Sequence, residues 1–182
     1  HAPYTVDPDA MRACADRARS MSAPICMHLA ETPDEERFTR FGDGPFADFL
    51  REWDVWDPSV AAHRCSPIEL ADRTGLLSDR TVIAHANHVS DADIERIARS
   101  GASVAYCPRT HAAFGHPPHR FRDMLAWGVN VCVGTDSLAS NPSLSVLDEL
   151  RFLRRQFPEI AAEELLAMGT IRGAQALGID GE

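Results

Sequence analysis

Thr81-Val82-Ile83-Ala84-His85, then a polar opening at Ser90, apolar Ile94, Ile97 and Ala98, a closing Gly101, and Ser103-Val104-Ala105-Tyr106-Cys107 form one compact unit. Its two apolar runs are continuous rather than alternating, as in strands buried on both faces. Between them the apolar residues fall at helical spacing, with Ser90 as the starting cap and Gly101 as the stop. Strand, helix, strand in about 25 residues is a right-handed parallel crossover, and it sets an α/β class. The same kind of run recurs at Pro24-Ile25-Cys26-Met27-His28 and at Val129-Asn130-Val131-Cys132-Val133-Gly134. Four strands are therefore expected, starting near positions 24, 81, 103 and 129. Asp7-Pro8 opens a helix that runs through Met11, Ala15 and Ala18;. Ser66-Pro67-Ile68-Glu69 predicts a capping box before Leu70, Gly75 and Leu76;. Met124, Leu125 and Gly128 end a further helix, and one helical tail is expected from Leu144 to about Leu177. The long first gap holds an insertion, residues 34–65, rich in Phe38, Phe41, Phe46, Phe49, Trp53 and Trp56. It reads equally as a peripheral subdomain with its own small core and as a lid over a site.

Composition narrows the function classes. The 182 residues carry 18 Lys and Arg against 27 Asp and Glu, a net charge of −9, with 45% hydrophobic and 25% charged residues. That mixture can bury a real core and is neither disordered nor dependent on staples. An acidic chain lacks the basic footprint that phosphate neutralisation needs, so neither a nucleic-acid partner nor an anionic membrane is expected. No apolar run approaches the roughly 20 residues of a spanning helix, and no charged-then-apolar leader opens the chain. Cys14, Cys26, Cys65, Cys107 and Cys132 are an odd set with no CxxC pair. They point to reducing cytoplasm and away from a disulfide framework or a thiolate zinc site. The chain opens on His1-Ala2-Pro3-Tyr4 without an initiator Met, so it is expected to be part of something longer.

The chemistry is marked by position. His28, His85 and Asp136 each fall at or just beyond the carboxyl end of an expected strand. In parallel α/β sheets sites are built at that edge. Imidazoles and a carboxylate from different strands suit a borderline divalent ion, with zinc first on ligand type. Glu31 follows His28 by three residues, and His88 follows His85 by three.

Six motifs then occur in one order. They are His28-Leu29-Ala30-Glu31-Thr32, Ala84-His85 with His88, Tyr106-Cys107-Pro108-Arg109, Gly134-Thr135-Asp136-Ser137, Ser140-Asn141, and Gly173-Ala174 with Ala176-Leu177-Gly178. Together they resemble the amidohydrolase superfamily, in its metal-dependent aminohydrolase branch of guanine, cytosine and S-adenosylhomocysteine deaminases and triazine hydrolases. His1-Ala2-Pro3-Tyr4-Thr5 resembles the branch's substrate-contacting motif after the fourth barrel strand. The resemblance implies a (β/α)8 TIM barrel of the metal-dependent hydrolase type. Residues 1–182 would be its C-terminal half, strands five to eight with their helices, and the 34–65 insertion would follow strand five. The family's His-x-His pair from strand one and its β-sandwich have no counterpart in these residues.

The resemblance also implies roles. One divalent metal, zinc first and iron second, would take His28 and Asp136 as ligands. Glu31 would shuttle protons to a ring nitrogen, Asp136 would accept the proton of the attacking water, and His85 would orient that water's oxygen. His1 and Ser137 would contact substrate. The implied reaction is hydrolytic deamination of an amino-substituted heterocycle, purine-, pyrimidine- or nucleoside-like, with release of ammonia. Two alternatives stay open: a hydrolase of the same scaffold displacing an amide nitrogen or chloride, and an inactive half-barrel serving as an interaction module. A half-barrel is expected to associate with its missing half or with itself, since sheet edges invite pairing. Arg109 is expected to brace its loop, His88 to support the site, and His63, His116 and His119 to be exposed or loop-packing. Arg109-Thr110-His111, the loop Phe114-Gly115-His116-Pro117-Pro118-His119, and Ser137 where many deaminases have Gly are departures that bear on substrate.

Overall fold

The computed structural model describes residues 1–57 and 62–181. Four strands, β1 (Ile25–Leu29), β2 (Thr81–His85), β3 (Ser103–Tyr106) and β4 (Asn130–Val133), pair in parallel in chain order. Their starts lie within a residue of those expected. The register joins Ile25 to Thr81, Val82 to Ser103 and Ser103 to Asn130, so all four strands run out at one edge. Ten helices accompany them among the described residues: α1 (Pro8–Ser20), α2 (Pro33–Phe41), α3 (Pro45–Glu52), α4 (Pro67–Arg73), α5 (Asp91–Ser100), α6 (Pro108–Ala113), α7 (Phe121–Ala126), α8 (Val146–Gln156), α9 (Ala162–Met168) and α10 (Ile171–Leu177). None is long and apolar enough to cross a membrane.

The caps follow from the sequence. Asp7 accepts the amides of Asp9 and Ala10 at 2.9 Å, and Gly101 ends α5 in the left-handed conformation, φ 76°. The capping box sits at Ser90–Asp93 rather than at Ser66–Glu69. Ser66 does cap α4, through the Glu69 amide, but the Glu69 carboxylate pairs instead with Arg73 and Arg96. Two cations in reach outweigh one backbone amide. The expected single tail is three helices. Pro158 forbids helical backbone at Phe157, and at Gly169 a Cβ would lie 2.6 Å from Leu150 Cδ1, so the chain can turn closely there;. Helix α6, in the loop after β3, was not anticipated.

The two sheet faces differ. Met27, Leu29, Ile83, Val104, Tyr106, Val131 and Val133 pack with Ile68, Leu76, Ile94, Ile97, Phe121, Met124 and Leu153 into the main core between sheet and helices. Val82, Ala105 and Cys132 face the other way and meet Ala176 of α10, while Asn130 donates to the Arg172 carbonyl. In the 34–65 segment, Phe46 stacks on Tyr4 with centroids 3.8 Å apart, and Phe38 meets Trp56 edge-on. Phe41, Phe49 and Trp53 are exposed. Residues 58–61 of that segment lie outside the described residues.

Ile83 is wholly buried at the middle of the second strand. Ile83→Ala is expected to cost about 2–5 kcal/mol, through lost burial plus a cavity that rigid neighbours cannot close. Denaturant unfolding of the variant beside wild type measures it.

Candidate active site

Strand parity alone would separate the two central histidines. His85 pairs in register with Leu29, whose side chain belongs to the helix-side core, whereas His28 is one position off. The backbone overturns that parity. His85 and Ala86 take φ of 77° and 52°, and Ala30 and Asp136 take 55° and 57°. Left-handed backbone at non-glycine residues costs about 1–3 kcal/mol each and clusters where a site demands it. Here it re-aims the strand ends towards one another. The His85 and His28 rings come to 5.3 Å between centroids, and His85 Nε2 lies 3.6 Å from Glu31 Oε1. Burial lowers the His85 pKa, against the upward pull of Glu31 and Asp136. A neutral imidazole with one N–H results.

The Glu31 loop is held from both sides. Glu35, completely buried in the first turn of α2, accepts the amides of Ala30 and Glu31, both at 2.8 Å. Thr32 caps the same helix, and Asn87 donates from the β2 loop to the Glu31 carbonyl at 3.2 Å. Burial raises the Glu35 pKa to about 7 even though the Glu31 and Ala30 amides pull it down. A second wholly buried carboxylate, Glu149 of α8, serves the other end of the sheet. It accepts the Arg109 amide at 2.9 Å and the Asn141 side-chain amide at 2.5 Å, and Asn141 also donates to the Thr135 carbonyl at 2.6 Å. Asp136, next in the chain, accepts from Ser140, which in turn bonds Thr110 at 3.0 Å. Arg109 donates to Ser143 and faces Glu149, so it braces its loop as expected.

The structure brings His28, Glu31 and His85 together, with Asp136 close enough for its charge to act on His85. His1 is exposed; its carbonyl accepts the His28 amide at 3.0 Å, and its ring bonds Thr5. Ser137 is exposed beside Asp136. Of the two expectations for His119, exposed or loop-packing, the second holds. It is buried, stacked on Tyr106 at 4.0 Å, and its Nε2–H donates to the His85 carbonyl at 2.8 Å. That bond leaves Nδ1 as a bare acceptor. His88 and His116 share a 3.2 Å hydrogen bond. Sequence reasoning missed Glu35 and Glu149. The pattern Thr32-Pro33-Asp34-Glu35 was the available signal for the first, being the spacing of a capping box;.

The donors suit a divalent ion in kind: a strand-end imidazole at His28, and at Asp136 a carboxylate already oriented by Ser140;. Among the described residues no three His, Cys, Asp or Glu side chains converge closely enough to hold one. These residues therefore fit as part of a coordination set.

A family model described as the amidohydrolase family matches residues 1–182. The chain belongs to that family. It is 34% identical over 186 residues to a 5'-deoxyadenosine deaminase of Methanoregula boonei, covering 98% of this chain and 38% of the relative. A 5-methylthioadenosine/S-adenosylhomocysteine deaminase of Pyrococcus abyssi is 31% identical over 98% of this chain and 39% of its own length. Among solved structures, an adenosine deaminase from Xanthomonas campestris with bound zinc superposes with a TM-score of 0.78 at 27% identity, over 99% of this chain and 38% of that one. The chain thus spans about two-fifths of the relatives it matches. As in other amidohydrolases, the parallel sheet with its surrounding helices is of the TIM-barrel type.

Acid sensitivity of this amidohydrolase chain follows from His119, whose pKa burial lowers to about 3. The unfolded chain takes up its proton near pH 6.5, so the folded state is favoured above that value and loses the advantage as pH falls towards 3. His119→Gln, which takes up no proton on unfolding, is expected to flatten that decline. Urea midpoints of both proteins at pH 7 and pH 4.5 provide the comparison.

Proposed function

We propose that the protein containing this chain hydrolytically deaminates an amino-substituted heterocycle, with an adenosine-like nucleoside as the first substrate class. The observation that carries the reading is Glu31 held 3.6 Å from the neutral His85 at the sheet edge that also presents His28 and Asp136. In this reading the strands are the fifth to eighth of a (β/α)8 barrel, and the rest of the barrel covers the edges of β1 and β4. Support comes from the adenosine deaminase superposition and from the share of the relatives' length that is matched.

His28 and Asp136 would hold one divalent ion, zinc before iron, the former being the ion bound in the Xanthomonas campestris structure. When bound, such an ion makes a water acidic enough to lose a proton near neutral pH. The side chains do the rest. Asp136 accepts a proton from the attacking water through a carboxylate oxygen. His85, with its single N–H, hydrogen-bonds the attacking oxygen and fixes its approach. Glu31 delivers a proton to the ring nitrogen beside the carbon under attack, because that nitrogen gains electron density as the carbon becomes tetrahedral. Asp136 then passes the proton it took to the amino nitrogen, the C–N bond breaks, the hydroxyl proton returns to Glu31, and ammonia leaves with a carbonyl in its place. His1 and Ser137, at the sheet's open edge, would meet substrate, and the aromatic 34–65 segment would cover it by stacking. Five free cysteines are in keeping with a reducing cytoplasm.

The test is ammonia release by the full-length protein from adenosine and 5'-deoxyadenosine. Glu31→Gln is expected to lower kcat by about 10²–10⁴-fold. Prolonged chelation should abolish turnover and zinc should restore it; turnover that survives both the chelator and Glu31→Gln would overturn the reading.

A further inference from the structure

Glu35 lies wholly buried in the first turn of α2, behind the Glu31 loop; among the described residues no cation acts on it, and its bonds are to backbone N–H groups. An ordinary capping box would use a carboxylate at this position for the amide of the cap residue, Thr32. Glu35 acts on the Thr32 amide and also reaches further back, to the amides of Ala30 and Glu31. Ala30 stands in the left-handed conformation, φ 55°, which turns its amide and the next in one direction, the concave arrangement that binds an anion;. The protein fills that concavity with its own carboxylate. Buried oxygens accepting two amides at 2.8 Å fix the backbone of Glu31, and Asn87 fixes its carbonyl from the next loop.

We infer that Glu35 is a positioning residue for the proton transfer: it locks the backbone of Glu31 and so holds that side chain where it hands its proton to the ring nitrogen. The inference rests on the deaminase reading. A helix needing only a cap would be served by Thr32, which already accepts the Glu35 amide at 3.1 Å. The buried carboxylate does more than cap α2: its two 2.8 Å bonds go to the loop that carries the acid. Proton transfer tolerates little misplacement, and a displacement near 1 Å costs about a hundredfold in rate. His1 and Ser137, the side chains proposed to meet substrate, lie outside the Glu31 loop, so KM is expected to change less than kcat.

The experiment uses the full-length, metal-loaded protein with adenosine and 5'-deoxyadenosine, and compares Glu35→Gln, Glu35→Asp and Glu31→Gln with wild type. Glu35→Gln keeps the shape but sets an NH2 group against one of the two amides. It is expected to lower kcat by about a hundredfold with KM within about threefold and metal content unchanged. Glu35→Asp keeps the carboxyl group, falls one methylene short, and should lie between. If Glu35→Gln does not fold, Glu35→Asp carries the test, with amide hydrogen exchange at Ala30 and Glu31 as a second readout that should quicken. Wild-type kcat in Glu35→Gln and Glu35→Asp, with Glu31→Gln inactive, would overturn the positioning role alone. Loss of metal in step with loss of rate would also overturn it, in favour of a purely structural role. Full activity in Glu31→Gln would overturn the deaminase reading itself, and this inference with it.

Discussion

Parallel pairing in chain order is the constraint on which the rest of the molecule depends. Because β1 to β4 run the same way, every strand releases its chain at the same edge, and residues far apart in sequence arrive side by side. Antiparallel pairing of the same four runs would have sent His28 and His85 to opposite ends. The cost of the arrangement is that each return must be a helix, and the helices bury Ile83, Val104 and Val131 from one side;.

A strand edge supplies proximity without aim. Aim comes from left-handed backbone at Ala30, His85, Ala86 and Asp136, which the loops must hold against its strain;. Two wholly buried carboxylates, Glu35 and Glu149, do so at opposite ends of the sheet, each by accepting amides of the loop it serves. Neither is a surface charge that solvent could replace. In a poorly polarisable interior such bonds are strong when complete and costly when broken, which suits a site whose geometry must not drift. The same burial keeps His85 and His119 neutral, so that each offers one N–H and one lone pair;.

Much of this was legible in the residues. The four continuous apolar runs gave strand positions to within a residue, and Asp7, Ser90 and Gly101 gave helix ends, because both signals are local;. His28, Glu31, His85 and Asp136 could be picked out by their place after strands. In the helical tail the break at Phe157 is legible from the adjacent Pro158, whereas the break at Gly169 depends on the nearness of Leu150, which neighbouring residues do not show. Between exposed and packed, the sequence left His119 open, because nothing nearby in the chain reveals that Tyr106 and the His85 carbonyl wait for it.

The sequence by itself determined the α/β class, the strand ends and the residue types that gather there, since hydrophobic period and capping chemistry are written in neighbouring residues. Only the tertiary structure decided that His85 turns against its strand parity to meet Glu31, and that Glu35 and Glu149 sit dry behind the loops. Those outcomes depend on what surrounds each group from other elements, because desolvation and backbone strain are properties of the packed neighbourhood and not of the chain segment that carries the residue.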